Sequence, residues 1–143
     1  MLKRDYTGQD CSIARTLEIV GERWTLLIVR DALRGLTRFD EFQQSLGVAR
    51  NVLTERLNLL VEEGILDRVR YSERPERFEY RLTQKGRDLR LALAGLRQWG
   101  DAYVGEGPTV LERRSDGRRV VAGFVPEGTP TIPEGELESV PRE

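Results

Sequence analysis

A chain of 143 residues, 38% hydrophobic and 33% charged, has room for one ordinary domain and an appendage, built as a soluble, helix-rich globule. Apolar runs fall short of the roughly 18 residues of a membrane span, Met1-Leu-Lys-Arg-Asp5 does not read as a signal peptide, and the expected location is the cytosol. One cysteine and no histidine exclude an internal disulfide framework, ordinary zinc sites and the commonest general base, while a net charge of −1 argues at first against a nucleic-acid partner.

Residues 1–10 are polar and read as an extended arm. Ser12 to Val20 reads as a short helix with Ile13, Leu17 and Val20 on one stripe. After Gly21 a longer helix is expected over Glu22–Leu33, with Trp24 as a core anchor. Thr37-Arg-Phe-Asp40 reads as a capping box opening a helix whose Phe39, Phe42 and Leu46 recur on one side. Gly47 stops that helix, and a second runs from about Arg50 to Glu63 with Leu53, Leu57, Leu60 and Val61 buried. Beyond Gly64, Ile65–Tyr71 and Arg77–Thr83 alternate like the strands of a hairpin. A further helix is expected over roughly 84–104. Its Leu89, Leu93, Leu96, Trp99 and Tyr103 form more apolar surface than a small domain needs, so it reads as a subunit interface or as a helix folded back on its own domain. From Gly105 the composition changes, with five of the six prolines in the last 39 residues. There 109–125 reads as a hairpin turning at Asp116-Gly117, and 126–143 as a loose acidic tail.

Helix, sharp turn, helix, β-ribbon is the layout of a winged helix-turn-helix, which seats one helix in a DNA major groove. The expected fold is therefore mainly α with a small β-wing (α+β). Residues 1–104 form the DNA-binding and dimerisation domain, and 105–143 a C-terminal extension.

On the second helix of the motif, subtracting the leucine stripe leaves Arg50, Asn51, Thr54, Glu55 and Asn58 outward. Arg pairs with guanine, Asn with adenine, Glu accepts from cytosine, and Thr meets a phosphate or a methyl. Arg56, flanking the stripe, reads as a phosphate contact or an internal ion pair. At the ribbon's tip Arg74 and Arg77, supported by Arg70, suit a minor groove or phosphates. Thr37 and Arg38 could hold a phosphate at the first helix's N-terminus. Charge distribution permits this: residues 1–104 carry 18 basic against 16 acidic side chains, and 105–143 carry 5 against 8. The expected partners are double-stranded DNA with two half-sites, a second copy of the chain, and a small-molecule effector; no membrane, metal or cofactor is expected. Carboxylate pairs such as Glu62-Glu63 read as solvated faces, and without a phosphate-cradling loop or nucleophile turn no enzyme is expected. A winged module that binds proteins, and a small-molecule-binding or catalytic protein, are the competing readings.

Cys11-Ser-Ile-Ala-Arg, Val20-Gly-Glu-Arg-Trp-Thr-Leu-Leu-Ile-Val-Arg-Asp-Ala-Leu33, Asn51-Val-Leu-Thr-Glu-Arg-Leu57, Leu60-Val-Glu-Glu-Gly-Ile-Leu66 and Tyr80-Arg-Leu-Thr-Gln-Lys-Gly86 together resemble HxlR-type bacterial transcriptional regulators, a group similar to the MarR proteins. The resemblance covers about 11–104. It implies a homodimer joined through the N-terminal region, Ile13 and Leu17 included, and the helix after the wing, acting by default as a repressor. It also implies that Cys11 senses electrophiles, quinones or oxidants, the alternative being a half-buried packing thiol. Longer relatives carry cysteines in a C-terminal hairpin; this chain has none there.

Overall fold

The computed structural model describes residues 8–143, so most of the expected N-terminal arm lies outside the described residues. Two compact units form, one ending at Arg87 and one spanning Asp88–Glu143.

In the first unit α1 spans Ser12–Val20, as its stripe predicts, and Cys11 caps it: the sulfur accepts the Ala14 N–H at 3.3 Å. A Cβ at Gly21 would lie 2.3 Å from the Leu17 carbonyl oxygen, so the chain closes against α1 only without a side chain. α2 runs over Thr25–Leu33, starting later than Glu22 because residues 22–24 form a turn closed by Thr25 N–H to Glu22 O at 3.1 Å. Trp24, expected in the core, is half-buried beneath the Arg23 guanidinium, while Ile28 and Val29 take the interior positions.

α3 (Phe39–Leu46), a turn at Gly47-Val48-Ala49, and α4 (Arg50–Glu62) make the helix-turn-helix. Gly47 sits at φ 64°, a left-handed position that suits a residue without a Cβ. The start of α3 corrects the expected Thr37–Asp40 box: the cap is Arg38, and the Glu41 carboxylate accepts the N–H groups of Arg38 (2.9 Å) and Thr37 (3.2 Å). Those bonds hold the Glu41 carboxyl below the ordinary carboxylate value. Phe42, Leu53, Leu57 and Leu60 close over Ile28 and Val29 as the core, each large side chain worth roughly 1.5–3 kcal/mol on full burial.

β1 (Leu66–Glu73) and β2 (Glu76–Leu82) pair antiparallel from Leu66↔Leu82 to Glu73↔Glu76, with an irregularity at Tyr71. Arg38 adds a bridge to Glu79, and Tyr80 N–H bonds the Thr37 carbonyl at 2.6 Å, so the wing is stitched to the start of α3. The helix expected over 84–104 is two helices, α5 (Gln84–Arg87) and α6 (Arg90–Tyr103), broken at Asp88-Leu89. Gly86 explains why α5 can sit where it does: a Cβ there would meet the Ile65 carbonyl oxygen at 2.3 Å.

In the second unit β3 (Thr109–Arg113) pairs antiparallel with β4 (Leu137–Pro141), which a short 3-10 turn at Glu134–Glu136 precedes. This corrects the hairpin expected over 109–125. The Asp116-Gly117 turn forms, and Val120 N–H returns to Leu111 O at 3.0 Å, but the regular strand partner comes from the supposed loose tail. Arg113 clamps the turn through Asp116, and with the Arg118 N–H it lowers that carboxyl to about 2. Polar side chains of α6 bind the extension: Arg90 to Glu134 (3.1 Å), Arg97 to Ser139 (3.2 Å), Gln98 to both backbone groups of Ala122 (3.0 Å), and Asp101 to Arg142 (3.0 Å). These bonds place α6 with residues 105–143, earlier in the chain than the compositional boundary at 104/105.

Candidate nucleic-acid interface

Three side chains fix the roll of α4 about its axis. Leu53, Leu57 and Leu60 are fully buried, and at 100° per residue this turns Asn51, Thr54, Glu55 and Asn58 to solvent; Arg50, in line with Leu57 but in the first turn, is exposed as well. Arg56, weighed as a phosphate contact or an internal pair, is internal: it is 7% exposed and pairs with Glu22 from the α1–α2 turn. The outward side chains differ in freedom. The Arg50 guanidinium carbon lies over the Phe39 ring, 4.5 Å from its centre, a contact that aims the side chain before any ligand arrives. The Thr54 hydroxyl donates to the Arg50 carbonyl at 2.9 Å, so in this conformation it offers a lone pair and a methyl rather than a proton.

The ribbon carries a second group. Arg74 and Arg77 are exposed at its tip, whose turn is closed by Ser72 Oγ donating to the Pro75 carbonyl at 2.8 Å. Arg70 is less available than expected, since Glu76 holds it at 2.7 Å. Sequence reasoning passed over Arg68, which stacks on Phe78 at 3.7 Å, and the ring of Tyr71, which supports Arg38 at 4.5 Å. The signal was present in the ribbon's cross-strand pairs, where Arg70 faces Phe78 and Arg68 faces Tyr80.

Thr37 is half-buried, and its role differs from the one expected. Its N–H goes to Glu41 and its carbonyl to Tyr80, so the N-terminus of α3 is already filled by a carboxylate. A phosphate there would meet negative charge, and Arg38 reaches outward through its side chain instead.

The residues expected at a subunit contact are exposed apolar groups in the single chain. Ile13 is 73% exposed and Leu17 39%. On α6, Leu96, Trp99 and Tyr103 are 57%, 62% and 77% exposed and Leu93 is half-buried, as is Leu89 in the break before the helix. Helical geometry puts Leu96, Trp99 and Tyr103 on the side of α6 away from Ala94, Arg97 and Asp101, which face the C-terminal extension. Cys11 is exposed in the single chain.

A helix-turn-helix with a polar outward face beside an arginine-bearing wing defines a winged-helix transcriptional regulator. The chain belongs to the HxlR-like helix-turn-helix family, whose pattern matches residues 19–108. It is 54% identical over 104 residues to an uncharacterised HTH-type transcriptional regulator of Mycobacterium tuberculosis, covering 71% of this chain and 66% of that protein. The chain thus spans just under two thirds of that relative. The crystal structure of PA1607, described as a candidate transcription factor, superposes with a TM-score of 0.75 at 44% identity, covering 86% of this chain and 88% of the other. The redox regulator HypR, in its oxidised form, superposes with a TM-score of 0.59 at 30% identity, over 64% of this chain and 96% of its own.

Proposed function

We propose that this regulator is a homodimer that binds an operator of two half-sites, with the N-terminal half of α4 in the major groove and the wing on the flanking backbone. The observation that carries the reading is the division of α4: leucines buried inward, and Arg50, Asn51, Thr54, Glu55 and Asn58 exposed outward. Arg50, Asn51 and Glu55 read base edges, Asn58 supports them, and Thr54 meets a base donor or a thymine methyl. Arg38, Arg68, Arg74 and Arg77 bind phosphates or the minor groove, giving local positive charge where the whole chain carries −1. The exposed stripe of α6, with Ile13 and Leu17 of α1, joins the two copies. The protein acts in the cytoplasm, as a repressor.

Selection of duplexes from a random pool by the purified chain tests this. A palindromic motif whose halves lie about 10 base pairs apart, or a multiple of that, is the expected result. Recovery of no motif, with no salt-dependent DNA affinity, would move the polar face of α4 to a protein partner.

A thiol-responsive mode rests on HypR being a redox regulator and on the exposure of Cys11. Cys11→Ser keeps an oxygen able to cap α1 while removing the thiol. It should bind operator normally and lose any response to a quinone; a response that survives the substitution places the sensor elsewhere.

A further inference from the structure

Between α6 and the C-terminal extension lies a cleft of about 200 Å³ that DNA binding does not use. Ala94, Arg97 and Asp101 of α6 form one wall, and Leu111 with the segment 119–122 forms the other. Bonds between α6 and the extension, chiefly Gln98 to Ala122 and Arg142 to Asp101, hold this shape, so the cleft is preformed.

Its chemistry is lopsided. Carbon dominates the walls, through Val110, Leu111, Val120 and the alanines, while the charged lining consists of three arginines and one carboxylate. Arg142 is matched by that carboxylate, since its Nη2 lies 3.0 Å from Asp101 Oδ2. Arg97 donates to the Ser139 hydroxyl. Arg119 makes no ion pair among the described residues and lies exposed at the cleft. A guanidinium fork beside an apolar wall suits a carboxylate attached to a hydrocarbon body. The volume lies below the 300–1,000 Å³ typical of sites for drug-sized ligands, which limits the body to one ring or a short chain.

We propose that this cleft binds a small amphipathic monoanion, its carboxylate on Arg119 and its apolar body against Leu111 and Val120. The ligand acts as an effector because it binds one side of α6 while the opposite side carries the exposed Leu96–Trp99–Tyr103 stripe. That effector role rests on the DNA-binding dimer described above.

Calorimetry on the full chain tests the site with benzoate and its neutral isostere benzamide. Benzoate should saturate one site per chain, with benzamide at least tenfold weaker. Arg119→Ala should weaken benzoate at least tenfold, and Arg119→Lys should fall between. Equal affinity for the two probes, an unchanged Arg119→Ala, or no saturable binding overturns the site. Fluorescence anisotropy on the selected operator then tests the role: benzoate should change the operator Kd at least threefold, and an unchanged Kd overturns it. Failure to select any duplex sinks the DNA-binding reading while leaving the calorimetric result standing.

Discussion

α4 and α6 are both amphipathic, and they are turned opposite ways. α4 buries Leu53, Leu57 and Leu60 and shows solvent its Arg, Asn, Thr and Glu side chains. α6 spends Arg90, Arg97, Gln98 and Asp101 on its own C-terminal extension and shows solvent Leu96, Trp99 and Tyr103. No residue of α6 is buried. A polar face outward is stable alone and invites a charged partner. An apolar face outward is costly in water and is relieved when a second apolar surface covers it.

Matched substitutions sharpen the contrast. Leu57→Ala should lower unfolding stability by roughly 2–5 kcal/mol in denaturant titration, because a fully enclosed side chain leaves a cavity. Trp99→Glu should leave the fold intact and weaken self-association by about 2 kcal/mol or more, seen by light scattering across a dilution series. A variant that stays dimeric at every concentration would remove α6 from the contact. Asn51→Ala should cost roughly 1–3 kcal/mol on the operator and relax discrimination at one base position. Equal losses on operator and random DNA would exclude it from base readout. Phe39→Leu removes the ring beneath Arg50 and should cost about 0.5–1 kcal/mol of operator affinity with an unchanged salt slope.

The smallest effect concerns Glu41, whose carboxyl is lowered by the Arg38 and Thr37 N–H groups. A lowered carboxyl stabilises the fold above its unfolded value of 4.5, and that contribution disappears as pH falls through the folded value. Unfolding midpoints of the wild type and Glu41→Gln should therefore differ at neutral pH and converge in acid. A gap that persists undiminished in acid would assign the difference to something other than the ionised carboxylate.

Elements written in local pattern were legible before folding. The stripe of α1, the leucine periodicity of α4 and the alternation of the wing each rest on neighbours within a few residues, and the outward set on α4 follows from that periodicity. Features decided at longer range were not. The partner of β3 lies at 137–141, beyond a turn whose Asp-Gly signal pointed to 119–125, and Leu-Glu-Ser-Val-Pro carries no strong strand pattern. The break at Asp88-Leu89 has no proline or glycine to announce it. The start of α3 was misread by one step, because Arg38 has no side-chain acceptor and the cap is supplied from Glu41. The aromatic supports of Arg38, Arg50 and Arg68 were missed because each lies on a different element from its arginine or across the ribbon from it.

The sulfur that caps α1 belongs to the one cysteine of the chain. Alkylating or oxidising Cys11 would change the acceptor that the Ala14 N–H meets at the first turn. Ile13 rides on that turn and Leu17 follows one turn later. Chemistry at that one sulfur therefore bears first on the turn that opens the helix carrying both of these exposed apolar side chains.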